Sequence, residues 1–150
     1  MTPRLIMPAD GEALSSLHAR AFAPGWSSDD IVNMSTSPAG FGLAIYLPAL
    51  VGMVLCRTIA DEAEILTLAV DPDARRGGVG TALVEAAKAQ ARARGCVTLF
   101  LEVAQDNGAA ISLYKQAEFH NVGFRRGYYA RSTGAMDAIV MRHDLNSDAI

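Results

Sequence analysis

Apolar residues along the chain follow two spacings, and the switches between them mark the elements. A short strand over 2–7 comes first, and Ala9-Asp10-Gly-Glu then opens a helix in which Leu14, Leu17, His18 and Phe22 recur at helical spacing. A loop, Ala23-Pro-Gly-Trp26, leads to Ser27-Ser-Asp-Asp30, a cap-like start for a second helix ending near Ser35. Residues 41–47 and 49–59 are apolar, rich in branched side chains and separated by Pro48, which reads as two antiparallel strands. Asp61-Glu-Ala-Glu64 makes the next turn, and a strand follows over 65–70.

A helix is predicted over 78–94, with Val79, Leu83, Ala86, Ala87 and Gln90 near one face and Glu85, Lys88 and Arg92 toward another. Gly95 ends it. Residues 97–103 read as a strand, Asn107 as the cap of a helix reaching Ala117, and 119–124 and 138–142 as closing strands. The order β-α-α-β-β-β-α-β-α-β-β implies an α/β (α+β) fold, a mixed sheet with helices on both faces. Neither an internal repeat nor a low-complexity linker interrupts it, so 1–145 is read as a single domain and 146–150 as a frayed tail.

Composition narrows the function classes. With 150 residues and 51% hydrophobic composition, one well-buried core is expected. The net charge is −3 and the basic residues are scattered, which argues against nucleic acid as a partner and suits an amine-bearing one. Cys56 and Cys96 sit in apolar contexts without a Cys-x-x-Cys pair, and His18, His120 and His143 do not cluster. No disulfide framework or metal site is therefore expected, and the histidines are read as structural. The N-terminus lacks the apolar core of a signal peptide and no apolar run is long enough to span a membrane, so a cytoplasmic location away from membranes is expected.

The stretch from Asp71 to Thr81, Asp-Pro-Asp-Ala-Arg-Arg-Gly-Gly-Val-Gly-Thr, crowds arginine and glycine into a strand-to-helix seam. Backbone N–H groups at a helix start lack internal partners and carry partial positive charge, so such a seam is built to cradle an anion. A P-loop fails because no lysine follows the glycines. The dinucleotide pattern Gly-x-Gly-x-x-Gly begins at Gly78 and Gly80 but meets Leu83 at its third position, and Glu102 only mimics the ribose-binding acid of that fold. The remaining pattern, Arg/Gln-x-x-Gly-x-Gly/Ala, is satisfied by Arg75, Gly78 and Gly80.

That loop resembles the acetyl-CoA loop of the GCN5-related N-acetyltransferase (GNAT) superfamily. The segment Leu99-Phe-Leu-Glu-Val to Asn107 and on to Ala110-Ile-Ser-Leu-Tyr114 is similar to the strand-loop-helix of bacterial ribosomal-protein-alanine N-acetyltransferases. Trp26 before Ser27, Arg125-Arg-Gly-Tyr-Tyr129 and Asp137-Ala-Ile-Val-Met141 resemble further segments of that family, so the likeness runs from Trp26 to Met141. Two positions depart from the family pattern. Glu118 precedes Phe119 where the family has glycine at a helix end, and Gly77 stands where it often has a basic residue.

The resemblance implies a mostly antiparallel sheet with a splay between its fourth and fifth strands, where the pantetheine arm of acetyl-CoA lies. Carried over, Leu68, Ala69 and Val70 bond that arm through their backbone, Arg75, Arg76, Gly77, Gly78, Val79 and Gly80 hold the pyrophosphate, and Asn107 contacts the cofactor. Glu102 matches the family's proton acceptor and Tyr114 its proton donor to the CoA thiolate. Trp26, Tyr128 and Tyr129 would line a peptide groove. The implied reaction acetylates the N-terminal α-amine of a protein, a ribosomal protein starting with alanine, without a metal.

A free-amine argument favours that acceptor. Near neutral pH an α-amine with a pKa of about 8 is about a tenth free base, whereas a lysine near 10.4 is free at well under about a thousandth. A carboxylate of reference pKa about 4.3 is a weak base for either amine, so Glu102 is expected to act through partial burial or through water. The rivals are acetylation of a small amine or lysine side chain, an acetyl-CoA-binding module without turnover, and, more remotely, a nicotinamide-dependent dehydrogenase.

Overall fold

The computed structural model describes residues 1–22, 25–131 and 134–148, and the side chains of these except at 127–131, 134–136 and 147–148. Its strands are β1 (Arg4–Leu5), β2 (Gly40–Tyr46), β3 (Leu50–Ile59), β4 (Glu62–Val70), β5 (Thr98–Ala104), β6 (His120–Arg131) and β7 (Gly134–Asp144). Its helices are α1 (Gly11–Ala21), α2 (Ser28–Thr36), α3 (Val79–Ala93) and α4 (Gly108–Gln116), with short 3-10 turns at Pro8–Asp10, Pro72–Ala74 and Leu145–Asp148.

The strands form one sheet in the order β1-β2-β3-β4-β5-β7-β6, antiparallel at every contact except β4 with β5. Phe41, Leu43, Ile45, Val54, Ile65, Leu99 and Leu101 pack against α3 and α4, while Ala44, Met53, Leu55 and Ala69 pack against Leu14 and Leu17 of α1 and Ile31 of α2. Covering both faces explains why β2 is buried almost end to end instead of alternating with polar residues.

The element order agrees with the reading from sequence, and the boundaries differ where pairing outweighs local pattern. The first strand shrinks to Arg4–Leu5 because Pro8–Asp10 coils into a 3-10 turn. β4 starts at Glu62, inside the expected turn, since Glu62 and Glu64 pair with Ile59 and Arg57 and the Arg57–Glu64 ion pair closes at 2.8 Å. The turn itself tightens onto Ala60, at φ 55°. The closing strands are much longer than their apolar stretches, because β6 and β7 extend each other as a hairpin through polar and glycine-rich sequence.

Two helix ends share one construction. At the end of α3, Gly95 adopts φ 85°, its N–H donates to Arg92 O, and Cys96 N–H reaches Ala91 O. At the end of α4, Glu118 adopts φ 68°, its N–H donates to Lys115 O, and Phe119 N–H reaches Tyr114 O. Both are Schellman motifs, which place the residue after the C-cap in the left-handed region. The geometry that glycine would normally serve is therefore kept at Glu118, by a residue that reaches it under strain.

Candidate active site

The site grows out of an interruption in the sheet. β4 and β5 pair from Glu62↔Thr98 to Ile65↔Leu101 and then part, although β4 continues to Val70 and β5 to Ala104. A bulge lies at the same point: Leu55 faces Thr67 and Cys56 faces Ile65, leaving Leu66 as an extra residue on β4. The bulge bends the strand and changes which side chains face the core, so Ile65 and Leu68 both pack toward α3.

Backbone alternation decides what the gap contains. Asp71 N–H donates to Val51 O, so Asp71 and every second residue before it, including Ala69 and Thr67, turn their peptide groups to β3. Leu68 and Val70 turn theirs to the gap. Of the three residues expected to offer backbone bonds there, Ala69 is thus engaged elsewhere. On β5, Gln105 N–H reaches Asp137 O and Leu145 N–H reaches Val97 O, so the odd positions face β7 and Glu102 and Ala104 present backbone groups to the gap.

The glycine-rich seam lies beyond the end of β4. Asp71 caps the 3-10 turn by accepting from Asp73 N–H, and Arg75, Arg76, Gly77 and Gly78 follow on the exposed surface. Gly78 is the N-cap of α3 at φ 84°, no side chain among the described residues caps the helix, and the first turn closes with Ala82 N–H on Gly78 O. The N–H groups at the start of α3 are therefore without intrahelical partners. Val79 is buried and joins the core beneath α3. A Cβ on Gly80 would stand 3.2 Å from Leu113 of α4, so the missing side chain lets α3 approach α4 closely.

Glu102 and Tyr114 lie on opposite faces of the sheet. Leu99, Leu101 and Val103 join the α3/α4 core, which also buries Tyr114 edge-on to Phe119 at 5.7 Å. Glu102, alternating with them, projects from the other face into a cleft of about 300 Å3 lined by Arg57, Glu64, Phe100 and Val140. Its carboxylate is mostly covered, at 18% exposure, and Arg125 Nη1 from β6 donates to both oxygens at 2.9 and 3.1 Å. Sequence spacing could not reveal that partner, because β7 intervenes between β5 and β6.

A second cleft of about 530 Å3 on the same face is lined by Trp26, Asp30, Asn33, Met34 and Arg57. Arg57 borders both. Asn107 caps α4, accepting from Ala110 N–H at 3.2 Å. Trp26 is half-buried at the cleft wall. The side chains of Tyr128 and Tyr129 lie outside the described residues.

A sheet opened at the parallel β4–β5 pair, next to a glycine-led helix start, is the architecture of the GNAT acetyltransferases, and residues 11–119 match the Acetyltransferase (GNAT) family; the chain belongs to it. Among relatives, it is similar to a ribosomal protein bS18-alanine N-acetyltransferase of Escherichia coli, 42% identical over 87 residues, 58% of this chain and 59% of that protein. That match therefore spans less than two thirds of the relative's length. The enzyme of the same name from Haemophilus influenzae is 29% identical over 137 residues, 91% of this chain and 93% of its own. The crystal structure of the Escherichia coli ribosomal-protein-S18-alanine N-acetyltransferase superposes with a TM-score of 0.87 at 31% identity, covering 96% of this chain and 93% of that one.

Proposed function

We propose that the protein transfers an acetyl group from acetyl-CoA to the N-terminal α-amine of a protein, a ribosomal protein beginning with alanine. The observation that carries the reading is the β4–β5 gap with Glu102 on one face and Tyr114 on the other. A thioester lying in that gap could be approached by an amine from the Glu102 side while its sulfur leaves on the Tyr114 side.

The assigned roles follow. The uncapped N–H groups at the start of α3, with Arg75 and Arg76 beside them, bind the pyrophosphate. Leu68 and Val70 offer peptide groups to the pantetheine arm, and an N–H from this edge stabilises the oxyanion. The amine nitrogen attacks the thioester carbonyl carbon as Glu102, directly or through one water, accepts its proton. A C–N bond forms, the C–S bond breaks, and the thiolate leaves with a proton from Tyr114. Arg125 orients the Glu102 carboxylate from β6. Trp26 belongs to the acceptor wall, and the reaction needs no metal.

The test is to incubate the protein with acetyl-CoA and three acceptors: an alanine-starting peptide, a lysine peptide with a blocked N-terminus, and a polyamine. Mass spectrometry should find acetyl on the first, with release of free CoA. Equal turnover of the lysine peptide or the polyamine would replace the reading with a side-chain or small-amine acetyltransferase. No acetylated product from any acceptor, despite bound acetyl-CoA, would leave a binding module.

A further inference from the structure

His18 in α1 is 2% exposed, and the reaction assigned above makes no use of it. Both of its ring nitrogens are engaged. Trp26 N–H, which can only donate, lies 3.0 Å from Nδ1, so Nδ1 carries a lone pair. The ring proton is then on Nε2, which donates to Thr67 Oγ1 at 3.0 Å. This pair of bonds requires the neutral imidazole, because an imidazolium has no acceptor for Trp26.

One turn earlier on the same helix face, Ser15 Oγ donates to the Trp26 carbonyl at 2.8 Å. Helix α1 thus grips the N–H and the C=O of a single residue. The Trp26 ring stands 5.5 Å from the His18 ring, with Phe22 on it at 4.7 Å. At the other end, Thr67 directly follows the bulged Leu66 and precedes Leu68, whose backbone opens onto the gap. One side chain therefore bridges the wall of the α2 cleft to the strand that borders the gap.

We infer that His18, assisted by Ser15, is a positioning residue for the acceptor: its neutral ring fastens the Trp26 wall to β4, and protonation of the ring releases that wall. The acceptor part rests on the function proposed above; the attachment of Trp26 does not. The charged groups on the elements packed around His18 are Glu12 and Arg20 of α1, Asp10 before it, Asp29 and Asp30 on α2, Arg57 on β3, and Glu62 and Glu64 on β4. None of them is hydrogen-bonded to the ring, Asp10 is held by Arg4, Arg57 by Glu64, and Arg20 by Asp71 just past β4. Burial pushes the pKa of His18 below its ordinary 6.5, so release falls on the acid side of that value.

Trp26 is the sole tryptophan, so its emission reports the attachment directly. Emission is followed from about pH 8 down to about pH 5, with acceptor KM, kcat and acetyl-CoA Kd measured in parallel. The wild type should show one transition below 6.5, with acceptor KM rising through it and acetyl-CoA Kd flat. In His18→Asn the amide oxygen stands where Nδ1 was while the bond to Thr67 is lost, so emission should not titrate and KM should rise less than in His18→Gln. In His18→Gln the acceptor at Nδ1 is lost, and KM should rise about ten-fold, the equivalent of one lost hydrogen bond, with kcat little changed. Ser15→Ala, which leaves the ring untouched, should raise KM in the same sense. Flat wild-type emission, His18→Asn as impaired as His18→Gln, or KM and acetyl-CoA Kd moving together would overturn the inference. If no peptide is acetylated, the proposed function fails while the emission titration still decides the attachment.

Discussion

Replacing Glu118 by glycine should stabilise the protein. Glu118 is exposed and holds φ 68° in the motif that ends α4, the role Gly95 fills at φ 85° after α3. A non-glycine residue in the left-handed region costs about 1–2 kcal/mol. Glycine removes that cost but loses about 0.4–1 kcal/mol through the greater freedom of the unfolded chain. The net gain is about 0.5–1 kcal/mol, which for a domain of this size raises Tm by about 2–3 °C.

The second helix end supplies the control. A Cβ on Gly95 would have no atom within 4 Å, so Gly95→Ala tests the backbone cost without a steric clash. It should lower Tm by about 3 °C, a loss of about 1 kcal/mol. Glu118→Ala, which keeps the strained conformation and removes only an exposed side chain, should shift stability by less than about 0.5 kcal/mol. Thermal unfolding by circular dichroism and urea titration measure all three. Because Phe119 N–H still reaches Tyr114 O in Glu118→Gly, kcat should be retained. An unchanged or lower Tm for Glu118→Gly, or no loss in Gly95→Ala, would refute the strain argument.

Other expectations concern the core, the acid limit and the chemistry. Asp10 accepts from Arg4, Met7 N–H and Tyr46 Oη, and the Arg4 hydrogen bond foremost lowers its pKa from 3.8 to about 2. Its folded pKa lies below the unfolded one, so this stability is present above 3.8 and is lost as pH falls through about 2. With Arg4 46% exposed and screened, it amounts to about 1–2 kcal/mol, and urea titrations of Asp10→Asn and wild type should converge at low pH. Glu102→Gln should lower kcat by about a hundred-fold or more without weakening acetyl-CoA binding, measured by calorimetry. Tyr114→Phe should lower kcat while keeping the fold, since the ring that packs edge-on to Phe119 is retained. Leu83→Ala, at a fully buried α3 position, should cost about 2–5 kcal/mol in urea unfolding.

The local pattern carried most of the architecture because it rests on short-range physics. Helical spacing around Leu14 and Leu83, the caps at Ser27 and Asn107, and the stop at Gly95 all act within a few residues. The glycine seam after β4 was legible for the same reason, and its nearness to Glu102 and Tyr114 in sequence brought the candidate chemistry into view. Tertiary structure decided what depends on neighbours distant in the chain. The bulge at Leu66 and the early end of β4–β5 pairing select Leu68 and Val70, not Ala69, as the residues facing the gap. Hairpin pairing draws β6 and β7 through sequence that looks like loop, which brings Arg125 onto Glu102. His18 looked like one more core position on a helix. Only packing revealed that it joins Trp26 to Thr67, because a hydrogen bond across 49 residues leaves no periodic trace in the chain.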